Sequence, residues 1–163
     1  LARFSHYERE IAVLRDHGLQ TWAAFTLGHD HDTPGSIRAT VEFALRHRFA
    51  YAAFNIVMPY PGTPLYENLQ SENRLLYGGN WWLHPEYRFN HAAYQPARMT
   101  ASELTTACHA ARTRFNSLPA IARRLTDVKT HLQSLARASS LLRYSLLFRK
   151  EVHKKHGMRF GLR

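Results

Sequence analysis

Cysteine is nearly missing from this 163-residue sequence, in which Cys108 stands alone. That excludes a disulfide framework, a zinc ribbon and a cysteine-held iron-sulfur cluster supplied by the chain itself. No stretch approaches the roughly 18 consecutive apolar residues of a membrane span, and the first residues have no basic-then-apolar signal pattern. The expected location is the cytoplasm, with peripheral attachment at the inner face of the membrane as an extension of that expectation. Acidic residues are scarce in one part only. Residues 1–100 hold nine arginines against nine carboxylates, whereas residues 101–163 hold thirteen lysines and arginines against three. The whole formal charge of +10 therefore sits in the back. A neutral front and a basic back imply two jobs, and the back is the part suited to an anionic surface.

What is present is enough for one ordinary core, since 45% of the residues are hydrophobic. An eight-unit α/β barrel needs roughly 250 residues. The chain starts at Leu1 and reads as a helix at once, with Tyr7, Ile11 and Leu14 on one stripe and Gly18 as its terminator. The expectation is a truncated polypeptide whose N-terminal half is missing. Leu19 to Leu27 is the kind of run expected for a strand covered on both faces. Asp32 or Thr33 can cap the next helix, with Pro34 in its first turn and Ile37, Val41, Ala44 and Leu45 as its apolar stripe. Tyr51 to Met58 reads as a second strand, and Thr63-Pro64 opens another helix. Two such units in succession argue for a parallel sheet.

From Tyr77 to Pro96 the texture becomes aromatic and rich in turns, suggesting an irregular cover with short strands. Thr100-Ala-Ser-Glu103 has capping-box spacing, and Leu104, Ala107, Cys108, Ala111 and Phe115 continue a helix stripe. Pro119 breaks it, and one or two basic helices fill Ala120 to Lys155. The fold expected is α/β: the C-terminal portion of a partial parallel (β/α) barrel at residues 1–76, an aromatic-rich connection at 77–99, and a basic helical extension at 100–163.

In such a barrel the loops after the strands form the catalytic face, so Gly28 to Thr33 and Met58 to Thr63 are expected to flank one pocket. Gly28 serves either a tight turn or close approach of a ligand to the backbone. Asp32 is a helix cap or a ligand-facing carboxylate. The run His29-Asp30-His31-Asp32 contains good metal ligands, but adjacent residues rarely converge on one ion and no further partner is evident. No metal site is assigned; His29 and His31 are left to loop polarity or substrate contact. The Pro59 to Pro64 turn reads as architecture. Trp81, Trp82 and Tyr87 either wall a substrate pocket or plug the barrel end, and Cys108 reads as a buried spacer.

Three stretches in order carry a family resemblance: Gly28-x-x-x-Asp32-Thr33 between strand and helix, Pro59-Tyr-Pro-Gly-Thr-Pro-Leu-Tyr66 after the next strand, and Arg98-Met-Thr-Ala-Ser-Glu-Leu104 beyond it. Together they resemble the late barrel units of radical SAM enzymes, most closely the subgroup with a cobalamin-binding domain. The resemblance implies binding of S-adenosylmethionine and a [4Fe-4S] cluster, with homolytic cleavage giving a 5′-deoxyadenosyl radical. It further implies cobalamin held by a missing N-terminal domain. Carried over by position, Phe25 and Gly28 would line the adenosyl group and Asp32 would stand at the motif's carboxylate. Asn55, Val57 and Met58 would flank adenine. Read from the residues themselves, His29, His31 and Trp82 are the candidate substrate contacts. The family's Cys-x-x-x-Cys-x-x-Cys loop belongs upstream of these units and Cys108 cannot replace it. No catalytic residue is therefore assigned here, and the chain alone is expected to be inactive. The reaction implied acts on an unknown substrate, by methyl transfer or ring formation. The alternative is a non-catalytic module whose basic helices, where Leu141, Leu142, Leu146 and Leu147 interleave with cations, meet an anionic membrane surface. Nucleic acid is the weaker choice, because no binding motif accompanies the charge.

Overall fold

A strand, a helix and a second strand form the first unit of the chain. A computed structural model describes residues 2–160, with side chains from His6 onward. Helix α1 (Ala2–Asp16) leads into strand β1 (Trp22–Leu27), helix α2 (Pro34–Arg46) and strand β2 (Tyr51–Ile56). The strands are parallel and in register from Trp22 opposite Tyr51 to Leu27 opposite Ile56. The parallel arrangement follows from the intervening helix, which returns the chain to the end at which it started. Among the described residues the sheet stops at two strands. They do not close a barrel.

Helix α2 forms as its sequence prescribes. Thr33 accepts from the Ser36 amide and Ser36 returns a bond to the Thr33 amide, a capping box, with Pro34 in the first turn. All four residues of its stripe are buried. They cover one face of the sheet, where Phe25 stacks on Phe54 at 5.2 Å between ring centres and meets Phe43 and Phe49 edge-on. Full burial of a side chain of this size contributes about 1.5–3 kcal/mol. The other face is open: Trp22, Ala24 and Thr26 are exposed. The expectation that β1 is covered on both faces is therefore corrected. Only its first residues are reached from that side, where Phe148 lies 5.8 Å from Trp22 and 5.6 Å from Tyr51.

Helix α3 (Pro64–Ser71) adds only Leu69 to the buried core. Helix α4 (Ala101–Phe115) packs on both α2 and β2 instead. It starts at the predicted capping box of Thr100 and Glu103 and buries Leu104, Cys108, Ala111 and Phe115. Between α3 and α4 the expected short strands are absent. Two 3-10 turns, Tyr77–Gly79 and Trp81–Leu83, stand there, with isolated bridges pairing Leu75 with Tyr94 and Arg88 with Arg159. Glycine and proline interrupt this stretch too often for a continuous ladder.

The α1 stripe is also corrected. Tyr7 is 60% exposed and Leu14 39%, and Ile11 alone packs on the core. Arg15 anchors the helix, donating to the His47 carbonyl at 2.9 Å and pairing with Asp127 at 2.8 Å. In the back half, Pro119 does more than stop α4, since it occupies the first turn of α5 (Leu118–Leu125) behind the Ser117 cap. A 21-residue helix, α6 (Leu135–Lys155), follows. No described helix is long and apolar enough to cross a membrane.

Four of the thirteen basic residues here reach inward to backbone carbonyls. Arg124 is 1% exposed; it donates to the Phe115 carbonyl at 2.7 Å and lies 4.2 Å above the Phe115 ring. Burial lowers its pKa to about 10. Arg112, Arg137 and Arg149 likewise end on the backbone carbonyls of Phe54, Gly18 and Asn116.

The α4 cap generates a prediction. Thr100→Ala removes the acceptor of the Glu103 amide and should cost about 1 kcal/mol, measured by urea unfolding. The Glu103 carboxyl is held below its ordinary value by the Thr100 amide and hydroxyl. Its contribution is therefore present above the unfolded value of 4.5 and fades as pH falls below it. The pH sensitivity in that acid range should shrink in the variant.

Candidate functional site

The carboxyl ends of two neighbouring parallel strands place their loops side by side, the position at which α/β sheets bind ligands. Gly28–Thr33 follows β1, and the segment from Val57 to Thr63 follows β2. Internal bonds fix both loops.

Asp32 does not cap α2. One of its carboxylate oxygens accepts from the amides of Gly28 at 2.8 Å and His29 at 3.0 Å, and the other accepts from the Ser36 hydroxyl at 3.1 Å. The carboxylate thus folds the loop back on itself, a local bonding pattern that aspartate favours. Gly28 has φ +99°, and a Cβ there would lie 2.4 Å from the Tyr94 hydroxyl oxygen and 2.7 Å from Leu104 Cδ2. The close approach that Gly28 permits is made by the chain's own cover. Tyr94 donates to the Gly28 carbonyl at 2.5 Å, and burial raises its phenol well above the ordinary value. Asp30 pairs with Arg74 at 2.5 Å. Arg74 also pairs with Glu72 and donates to the Gln95 carbonyl, so the Asp30 carboxyl is held below its usual range by the guanidinium beside it.

The second loop is tied to the aromatic cover. Trp81 Nε1 donates to the Pro59 carbonyl at 3.1 Å, Tyr60 packs edge-on against Trp81, and the Tyr87 hydroxyl donates to the His91 carbonyl at 3.1 Å. Burial pushes the Tyr87 phenol up to about 12. Trp81, Tyr87 and Ala93 form a second small core, with Met58, Tyr77 and Trp82 against it.

The sequence-derived residues therefore separate into groups. Phe25 lies in the helix-covered core and Val57 packs against that core. Gly28 is sealed by Tyr94, and Met58 and Trp82 belong to the aromatic cluster. His29 and His31 are exposed, and no group of three or more potential ligands is poised for a metal ion among the described residues. Asn55 is exposed too, on the sheet itself. It stands beside Thr26 in the register on the uncovered sheet face, accepts from Arg112 at 3.4 Å, and lines a 230 Å³ cleft with Trp22, Ala53, Arg112, Phe148 and Lys155. A larger groove of 650 Å³ runs between α2 and α4, lined by Ile37, Val41, Thr106, Ala107 and Ala110. It contains none of the candidate residues. Sequence reasoning missed Arg74, Tyr94 and Arg112, whose partners are 44, 66 and 58 residues away; no local pattern marks them.

Over 102 residues the sequence is 26% identical to bacteriochlorophyllide d C-12(1)-methyltransferase of Chlorobaculum tepidum, covering 63% of this chain and 21% of that protein. Over 66 residues it is 35% identical to an uncharacterized methyltransferase of Pyrococcus horikoshii, covering 40% of this chain and 14% of that protein. The chain is similar to methyltransferases. It matches about a fifth of the length of the first and a seventh of the second. No family model matches it, and no solved structure matches it.

Because the space beside Gly28 is filled, Gly28→Ala should destabilise the protein by about 1–3 kcal/mol through overpacking, with added strain from the positive φ. Gly62→Ala is the control: φ there is +79°, but nothing lies within 4 Å of the added Cβ. Thermal unfolding should therefore rank Gly28→Ala as the more harmful change.

Proposed function

We propose that this chain is the trailing part of a radical SAM methyltransferase barrel, and that its uncovered sheet face supplies part of the wall against S-adenosylmethionine. The similarity to methyltransferases supports methyl transfer as the reaction class. The observation that carries the placement is the open face itself: a parallel sheet with alanines at Ala24 and Ala53, polar groups at Thr26 and Asn55, and a cation at Arg112. Parallel sheets normally have both faces covered. This one has a bare face and an edge of β1 that no described strand pairs, as expected of a sheet that continues into further strands.

The fit to the cofactors is divided. For S-adenosylmethionine the fit is partial but chemically sound. Small side chains leave room for a flat adenosyl group, Asn55 can both donate and accept, and the Arg112 guanidinium suits a carboxylate. A 230 Å³ cleft is smaller than the about 300 Å³ at which small-molecule pockets begin, so this chain would provide one wall rather than the site. For a [4Fe-4S] cluster the residues do not fit. Cys108 is buried with its Sγ against the Phe54 carbonyl at 3.4 Å, and burial raises its thiol pKa. No step is assigned to the cluster, or to cobalamin, through these residues.

When bound, S-adenosylmethionine would supply the methyl group or the radical. The chain's own part is positional. Asn55 would orient the adenosyl group, Arg112 would hold Asn55 while remaining bonded to the Phe54 carbonyl, and Trp22 with Phe148 would exclude water at one end. The test is calorimetric titration of S-adenosylmethionine into the full polypeptide that carries this chain. Asn55→Ala should weaken binding about tenfold, equivalent to about 1.4 kcal/mol, and Ala24→Phe should abolish it by filling the face. Unchanged affinity in both variants would refute the assignment.

A further inference from the structure

Four histidines meet outside the two loops. His109 of α4 and His156 just beyond α6 stack face to face, with ring centres 3.7 Å apart and planes 17° apart. His91 of the aromatic cover lies 5.8 Å from His156, and His153 of α6 lies 6.3 Å from His109. His109 Nδ1 is buried without a hydrogen-bond partner. The stack argues against a shared metal, because imidazole lone pairs lie in the ring plane and parallel rings cannot aim them at one ion; no ligand group is poised there.

We propose that this cluster is a pH-operated clasp that holds the end of α6 over the open sheet face, closed while His109 and His91 are neutral and released when they protonate. The placement supports a covering role. Phe148, Glu151, Val152 and Lys155 of α6 wall the 230 Å³ cleft together with Trp22 and Asn55. Beyond the helix the Phe89 amide donates to the Met158 carbonyl at 2.8 Å, and Phe160 packs on Trp81 and Tyr87. The end of α6 and the tail after it are thus pinned to the cover around the four rings.

The surrounding charges set the direction. Arg112 acts on the cluster from α4 and Arg88 from the cover. On α6, Glu151 is engaged by Lys155 at 2.6 Å. The cluster's neighbours are therefore chiefly cationic, and two charged imidazoles 3.7 Å apart would repel. Burial, then the neighbouring histidines and arginines, hold His109 and His91 below their ordinary value of 6.5. A histidine whose folded value is depressed binds fewer protons folded than unfolded, so the closed state weakens as pH falls below 6.5 and is unaffected above it.

Hydrogen exchange on the full chain at pH 7.5 and 5.5, corrected for intrinsic rates, tests the clasp. Amides of residues 148–156 and the Phe89 amide should lose at least about tenfold in protection at the lower pH, equivalent to about 1.4 kcal/mol. His109→Phe keeps a ring in the stack without a charge and should stay protected at both values. If that variant opens at both, His156→Phe decides, and an undiminished pH response there overturns the proposal. Equal protection of the unaltered chain at both values also overturns it, as does added zinc raising protection at pH 7.5. The readout needs no S-adenosylmethionine, so its failure and a failure of cofactor binding are separate results.

Discussion

The carbonyl of Phe54 fastens helix α4 to the edge of the sheet. A two-stranded parallel sheet has unpaired polar groups along both edges, and burying them without partners is costly. The amides of Tyr51 and Val57 turn toward β1, where Thr21 and Leu27 accept them, so the backbone groups of Phe54 turn the other way. There Arg112 Nε donates to the Phe54 carbonyl at 2.7 Å and Cys108 Sγ approaches at 3.4 Å. Helix α4 thus stands in for a neighbouring strand. The same helix packs on α2, sets Phe115 against Phe54 and places Arg112 beside Asn55. Cys108 is buried for this reason, and a spacer role is enough to account for it.

The loops behave as a consequence. A loop at the carboxyl end of a strand can be kept open for a ligand or closed by its own chain. Here Asp32 draws the backbone inward, Tyr94 covers Gly28, and Arg74 clamps Asp30. Trp81 does the equivalent for Pro59. Gly28 and Asp32, which looked like ligand contacts in sequence, are spent on shape, as is Pro59, while the sheet face between the loops is left uncovered at Ala24 and Thr26. Helix α6 borders that face through Phe148, Glu151, Val152 and Lys155, while Ala24 and Thr26 of β1 stay exposed.

Charge tells a similar story in the back half. Composition alone makes residues 101–163 a basic surface. Several of those arginines reach inward to carbonyls instead, and Arg124 is buried over an aromatic ring. Arginine suits this use because its planar donors satisfy backbone oxygens while its face stacks. Leu135, Leu142, Leu146 and Leu147 are exposed along α6, and the cations left free beside them are fewer than the formal charge suggests.

Local signals specified the elements. The caps of Thr33, Thr63 and Thr100, the α2 stripe and the α4 stripe were legible because each rests on spacings of three or four residues. The strands were legible in kind but too long, β1 by the three residues Leu19 to Thr21 at its start and β2 by Val57 and Met58 at its end, where the apolar run continues past the strand. The α1 stripe misled because periodicity shows which face is apolar and not whether anything packs on it. Tertiary structure alone decided that α4 rather than α3 adjoins α2, that Gly28 is filled by Tyr94, that Asn55 is left open, and that His91, His109, His153 and His156 converge. Each of these is a meeting of distant side chains, set by which faces must be buried together. The sequence by itself determined that there would be parallel strand-helix units and a helical basic tail; packing decided which of their residues remained free to bind anything.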